Sequence, residues 1–182
     1  YTFEGWSGTD IKEKDTQVTV TARPLKDRIY TANWKENSYT IVFNVEGEVT
    51  RGEMKNIPLR YTQETTIPEN GYVCGGYKFV GWRTGGKKSE QKVYQPGDKV
   101  SRLCATNNGT VNLYPIWEPC EYTITFDYQT GNKREKVTCK YKETYTLPTV
   151  NRLGWTFEGW SRSAGSTNVI SYAPNVKTAV FE

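Results

Sequence analysis

Two carboxylates at matched places, Glu4 and Glu158, are the first residues in this chain that could do chemistry. A pair of acidic side chains flanking one sugar bond is the equipment of a glycosidase, with one acid and one base or nucleophile. The middle copy of the surrounding motif carries Val80 at that place, and a working pair would have to be assembled between separate segments. Histidine, the side chain that titrates nearest neutral pH, does not occur in the sequence. Without histidine or any CxxC spacing the common zinc patterns are excluded. Asp10, Asp15, Asp98 and Asp127 lack the spacing of a calcium loop. The expectation is a non-enzymatic protein that takes no cofactor and no metal.

Cys74, Cys104, Cys120 and Cys139 permit three pairings if all are oxidised. Cys74 and Cys104 fall in one segment and Cys120 and Cys139 in the next. Pairing within segments is the preferred reading and would suit an extracytoplasmic protein. Four buried thiols is the alternative. The formal charge of +4, from 24 basic and 20 acidic residues, is too small and too dispersed for a nucleic-acid-binding face. Lys87 and Lys88, like the run Lys133-Arg134-Glu135-Lys136, read as solvated turn charges, with Lys87 and Lys88 kept as candidate ligand contacts. No apolar run approaches the roughly 20 residues of a spanning helix, so membrane insertion is not expected. Asn108-Gly109-Thr110 fits a glycosylation acceptor but reads better as a turn.

The elements that would position these residues recur along the chain. Tyr1-Thr2-Phe3-Glu4-Gly5-Trp6 returns as Tyr77-Lys78-Phe79-Val80-Gly81-Trp82 and as Trp155-Thr156-Phe157-Glu158-Gly159-Trp160, with steps of 76 and 78 positions between the last tryptophans. Arg28-Ile29-Tyr30-Thr31-Ala32-Asn33-Trp34 returns as Asn112-Leu113-Tyr114-Pro115-Ile116-Trp117, and Tyr39-Thr40-Ile41-Val42-Phe43 as Tyr122-Thr123-Ile124-Thr125-Phe126. Self-similarity at a fixed period means one supersecondary unit repeated end to end. The predicted boundaries are 1–37 for the C-terminal part of a first repeat, 38–118 for a complete second and 119–182 for a third without its last strand. The chain opens in the middle of a motif, which reads as a piece of a longer protein, so a missing leader carries no information.

Alternation at Tyr39, Ile41, Phe43 and Val45, and at Tyr122, Ile124, Phe126 and Tyr128, predicts opening strands with one buried face. Gln129 to Lys133 supplies turn chemistry, with a return strand from Val137 to Tyr141 that leaves Cys120 and Cys139 about three positions from opposite. Proline ends the strands at Thr66-Ile67-Pro68 and Thr146-Leu147-Pro148. In the aromatic motif, strict alternation puts Phe79 and Trp82 on opposite faces, and Gly81, like Gly5 and Gly159, is expected to permit a bulge or a close backbone approach. Short helical turns are expected at most at Val100 to Ala105 and Asn175 to Val180. The architecture is mainly β.

Taken in order, Tyr122-Thr123-Ile124-Thr125-Phe126-Asp127, Tyr145-Thr146-Leu147-Pro148, Gly154-Trp155-Thr156-Phe157-Glu158-Gly159-Trp160 and Leu113-Tyr114-Pro115-Ile116-Trp117 resemble the Listeria/Bacteroides repeat, the module known as the internalin B B-repeat. The resemblance covers essentially the whole chain. It implies α+β modules of the β-grasp, ubiquitin-like type, carried in tandem on secreted or wall-anchored bacterial proteins, with no catalytic residues. The four cysteines and the insertion Asn70-Gly71-Tyr72-Val73-Cys74-Gly75 depart from the family pattern.

Repetition assigns Phe3, Trp6, Phe79, Trp82, Phe157 and Trp160 to a shared core, together with the closing-strand aromatics Tyr30, Trp34, Tyr114 and Trp117. Trp155, where the other copies have tyrosine, is the ring expected to be partly exposed and a candidate ligand contact. The leading functional expectation is an extracellular, non-enzymatic spacer, adhesion or protein-interaction module. Its partner would be a protein or glycan at a cell surface. One alternative is a carbohydrate-binding module using exposed aromatics. Another is homotypic assembly by strand exchange through the terminal repeats.

Overall fold

The computed structural model describes residues 1–20, 27–46, 48–85, 87–131, 133–163, 169–171 and 177–180. In chain order the strands are β1 (Thr2–Gly8), β2 (Ile11–Asp15), β3 (Tyr30–Lys35), β4 (Ser38–Phe43), β5 (Val49–Arg51), β6 (Ile57–Arg60), β7 (Thr65–Thr66), β8 (Val73–Cys74) and β9 (Tyr77–Thr84). They continue with β10 (Val93–Tyr94), β11 (Lys99–Val100), β12 (Gly109–Pro119), β13 (Glu121–Asp127), β14 (Arg134–Lys140), β15 (Thr144–Thr146), β16 (Trp160–Ser161), β17 (Val169–Ser171) and β18 (Lys177–Val180). Among the described residues the one helical element is a three-residue 3₁₀ turn, Lys88–Glu90. Two compact units form, one of residues 1–75 and 79–117, the other of 76–78 and 118–182.

The first unit is built on a five-stranded sheet of order β10-β9-β12-β4-β6. Its opening strand β4 and closing strand β12 lie side by side and parallel, Gly109 opposite Tyr39 through Leu113 opposite Phe43. The hairpin partner β6 flanks β4 antiparallel, with Ser38 opposite Arg60 and Ile41 opposite Ile57. The unit is mainly β as expected, and between β6 and β9 the described residues form only the short strands β7 and β8 and no helix. Neither helical expectation holds: Val100 ends β11, paired with β7, and residues 101–105 have no regular structure, while Lys177–Val180 is a strand paired with β15. Residues 175 and 176 lie outside the described residues.

Alternation in β4 buries Tyr39, Ile41 and Phe43 as expected, whereas Val45 lies past the strand end and is exposed. These three side chains pack with Leu59, Ile67, Tyr72, Trp82 and Leu113. The insertion 70–75 belongs to this core as well. Asn70 closes a tight turn on the Tyr72 backbone, and the Tyr72 hydroxyl donates to the Phe43 carbonyl at 2.9 Å. The joint between β3 and β4 is also fixed. Asn37, buried, accepts from the Thr2 hydroxyl at 2.7 Å and donates to the Ala105 carbonyl at 2.7 Å.

The aromatic motif does not put Phe and Trp on opposite faces. Phe79 and Trp82 meet edge to face at 5.1 Å, Phe3 and Trp6 at 5.5 Å, and Phe157 and Trp160 at 5.7 Å. The glycine between them explains the difference. Gly5, Gly81 and Gly159 have φ of 120°, 152° and 136°, and the register of β1 against β3 slips between Phe3 and Gly5. One irregular residue resets the two-residue alternation, so both rings reach the same side.

The second unit repeats the opening hairpin. β13 and β14 pair from Glu121 opposite Lys140 to Asp127 opposite Arg134. Phe126 is buried against Trp160 at 5.0 Å, with Tyr145 stacked at 5.9 Å. Tyr122, counterpart of buried Tyr39, is exposed.

No disulfide joins the four cysteines, contrary to the preferred pairing. Cys139 lies opposite Tyr122, and the Tyr141 amide donates to the Cys120 carbonyl. Cys120 and Cys139 are thus diagonal neighbours, about 7–8 Å apart at Cα, beyond the usual reach of a bridge. The Cys104 sulfur sits against Gly109, where an added methyl group would come within 2.4 Å of it, and Cys74 belongs to the separate β5-β8 ribbon.

Substituting Gly81→Ala should lower the stability of the first unit by about 1–3 kcal/mol, because a side chain is strained at that φ. Gly75→Ala, where nothing stands within 4 Å, should change it by less than about 0.5 kcal/mol in the same urea titration. Burial, with a smaller effect of Glu143, pushes the Cys139 thiol up from its ordinary pKa. A thiol reagent at neutral pH should therefore modify half-buried Cys104 and Cys120 first, and buried Cys74 and Cys139 only on unfolding.

Candidate functional site

In the second unit the strands that carry the recurring aromatic packing are, among the described residues, not joined by a central strand. β13 and β16 are the counterparts of β4 and β9, yet they belong to separate two-stranded sheets, β13-β14 and β16-β17. Between them lies a cleft of about 660 Å³ whose walls include Thr125, Phe126, Tyr128, Phe157 and Trp160. The Trp160 indole is held on this floor by donating to the Pro148 carbonyl at 3.0 Å.

On the rim stands Trp155, 69% exposed. A tight turn at Gly154 (φ 78°) lets the Trp155 amide donate to the Arg152 carbonyl at 3.1 Å. That turn brings the Arg152 guanidinium over the Trp155 ring, 4.7 Å from its centre. Stacking of this kind holds a planar cation and an indole in one orientation, at an exposed site for about 0.5–1 kcal/mol. Asp127 closes one end. The Gln129 amide and then the Arg134 side chain hold its carboxyl below the ordinary carboxylate range, so it is anionic at neutral pH. An apolar floor, an exposed indole and charges of both signs can receive a sugar ring or an extended peptide.

Most sequence candidates lie elsewhere. Phe79 and Trp82 pack in the first unit's core, where Trp117 meets Phe79 at 5.8 Å and Arg83 lies over the Tyr114 ring. Phe3 meets Trp6 and Trp34, but those two rings are themselves exposed, Trp34 at 59%, so in the first copy they do not form the shared core expected of them, while Tyr30 is half-buried on β3. Lys87 and Lys88 are exposed beside the 3₁₀ turn of the first unit and contribute nothing to the cleft. Glu4 pairs with Lys14 at 3.1 Å in the first unit, while Glu158 lines the cleft of the second, so the two matched carboxylates form no catalytic pair within either unit. Arg152 escaped the sequence reading because nothing in its spacing distinguishes it from any surface arginine. The glycine two residues later was the available signal, since it permits the turn.

Recurrent sheets with one shared aromatic floor define a tandem, mainly β repeat protein. The chain belongs to the Listeria-Bacteroides repeat family, whose repeat domain matches residues 39–114 and 122–180, while the divergent InlB B-repeat domain matches residues 1–38. Two proteins of Evansella cellulosilytica are similar to it. One, provisionally named a Gly-rich membrane protein, is 25% identical over 100% of this chain and 23% of its own length. The other, provisionally named a membrane protein, is 24% identical over 97% of this chain and 25% of its own. The chain therefore spans about a quarter of the length of these curated relatives. No solved structure matches it.

Trp155→Ala, which removes only the exposed stacking on Arg152, should cost no more than about 1 kcal/mol in urea unfolding. Trp82→Ala, which empties a fully buried site, should cost about 3–5 kcal/mol in the same measurement.

Proposed function

We propose that this chain is a non-enzymatic, extracellular element of a bacterial surface protein, holding other parts of that protein away from the cell and presenting an interaction surface. One observation carries the reading. The phenylalanine and tryptophan of the recurring motif meet edge to face in all three copies, so what repeats is a packing contact rather than a reaction centre. Membership of a repeat family found in bacterial surface proteins, and relatives named as membrane proteins, support the location. Among the described residues no helix is long and apolar enough to cross a membrane. Protease added to intact cells making the protein should release fragments that contain this chain. Protection until the cells are lysed would contradict the reading.

Exposed Trp155 favours a second reading, a carbohydrate-binding module. A glycan array should then give a signal that is lost in Trp155→Ala, and an array with no signal would remove it.

A further inference from the structure

A copy inside a tandem chain is pulled at two points, where the chain enters it and where the chain leaves it. In the first unit these are the start of β4, reached from β3 through residues 35–37, and the end of β12. The two strands are side by side and parallel, Tyr39 to Phe43 against Gly109 to Leu113. A pull on the entering and leaving chain therefore draws β4 and β12 lengthwise in opposite directions, and every bond between them is strained at once. Antiparallel neighbours behave differently. Ser38 and Arg60 face each other at one end of the β4-β6 hairpin, so a pull on that end opens the ladder one bond at a time.

Side chains bolt the parallel pair at both ends. At the entering end the side-chain amide of buried Asn37 donates to the Ala105 carbonyl at 2.7 Å, and Ser38 donates from its backbone amide to Asn107 Oδ1 at 3.2 Å and from its hydroxyl to Asn108 Oδ1 at 3.0 Å. Past the far end of β4 the Asn44 backbone amide donates to the Leu113 carbonyl at 2.8 Å, and its side chain donates to Asn112 Oδ1 at 3.1 Å. Between the bolts, the Tyr61 amide donates to the Asn37 carbonyl, so Tyr39 and Ile41 bond to β6 and the Thr40 and Val42 amides face β12. The bond from the Tyr141 amide to the Cys120 carbonyl turns the Thr123 and Thr125 amides of β13 away from β14 by the same alternation. The bolts themselves do not recur: Cys120, Glu121 and Asp127 stand where this copy has Asn37, Ser38 and Asn44.

We propose that the copy from Ser38 to Trp117 is a tension-bearing clamp, in which the β4-β12 pair must shear before the chain can lengthen. Shearing would also draw fully buried Leu113 out from among the core residues around Trp82, so apolar burial and the ladder resist the pull together. The clamp rests on the spacer part of the proposed function and gives it a mechanical task. Its failure would leave surface display untouched, since protease accessibility decides that separately.

The test pulls single molecules of the full 182-residue chain between azide-bearing side chains placed at exposed positions, which spares the four cysteines. Handles at Lys35 and Glu118 pull β4 and β12 along their length, and handles at Lys35 and Gln63 open the β4-β6 hairpin from its end. At equal pulling speed the first pair should need at least about twice the force of the second, because several bonds must break together. Asn44→Ala removes the side-chain bolt and keeps the backbone ladder. It should speed unfolding under tension about threefold between Lys35 and Glu118 and leave the other direction unchanged. A loss of general stability would instead move both directions together. Should Asn44→Ala fail to fold, the comparison of directions in the chain without it still decides. Equal forces in the two directions, a lower force between Lys35 and Glu118, or an Asn44→Ala effect of the same size in both would overturn the proposal.

Discussion

A glycine at positive φ between a phenylalanine and a tryptophan is the constraint on which the rest of this structure depends. Three times, at Gly5, Gly81 and Gly159, it turns two rings that strand alternation would separate onto one side. In the first unit the result is a contiguous aromatic floor of Phe43, Phe79, Trp82 and Trp117. A unit of about 80 residues has little surface to bury, and large rings supply the most buried area per ordered side chain. A Cβ on Gly5 would stand 2.8 Å from the Asp15 backbone, so the same atom that provides freedom also provides room for the neighbouring strand.

The three copies show what the floor needs in order to be dry. Trp82, with Phe43 and Tyr72 against it, is 0% exposed, whereas Trp6, with Phe3 against it, is 37% exposed. Leu113 on the central closing strand is 0% exposed, and its counterpart Ile29 is 74% exposed. Trp160 is intermediate, having the opening hairpin beside it but, among the described residues, no central strand. Opening hairpin, aromatic motif and closing strand are thus three contributors to one core. Each copy is dry to the extent that it has all three.

Much of this was legible in the residues. The period gave the repeats, alternation gave β4 and β13, and glycine and proline marked the turns after them. Alternation failed at Phe79 and Trp82 because a pattern of period two cannot show where one irregular residue resets the count, although Gly81 marked the spot. The cysteine pairing failed because strand register decides it, and a shift of two residues between Cys120 and the partner of Cys139 is invisible without the ladder. The insertion 70–75 read only as a departure from the family pattern, yet Tyr72 fills the core through a ring and a hydroxyl that sequence alone could not place. The cleft beside Trp160 was not legible, because which backbone groups β13 turns away from β14 depends on the observed pairing.

Native-state hydrogen exchange of the unmodified chain tests the central claim most directly, because it compares one strand with its own counterpart. If a closing strand completes each unit, the Thr40 and Val42 amides, which face β12, should exchange at least about a hundredfold more slowly than those of Thr123 and Thr125, which face the cleft. Equal protection at the two pairs of amides would contradict the account.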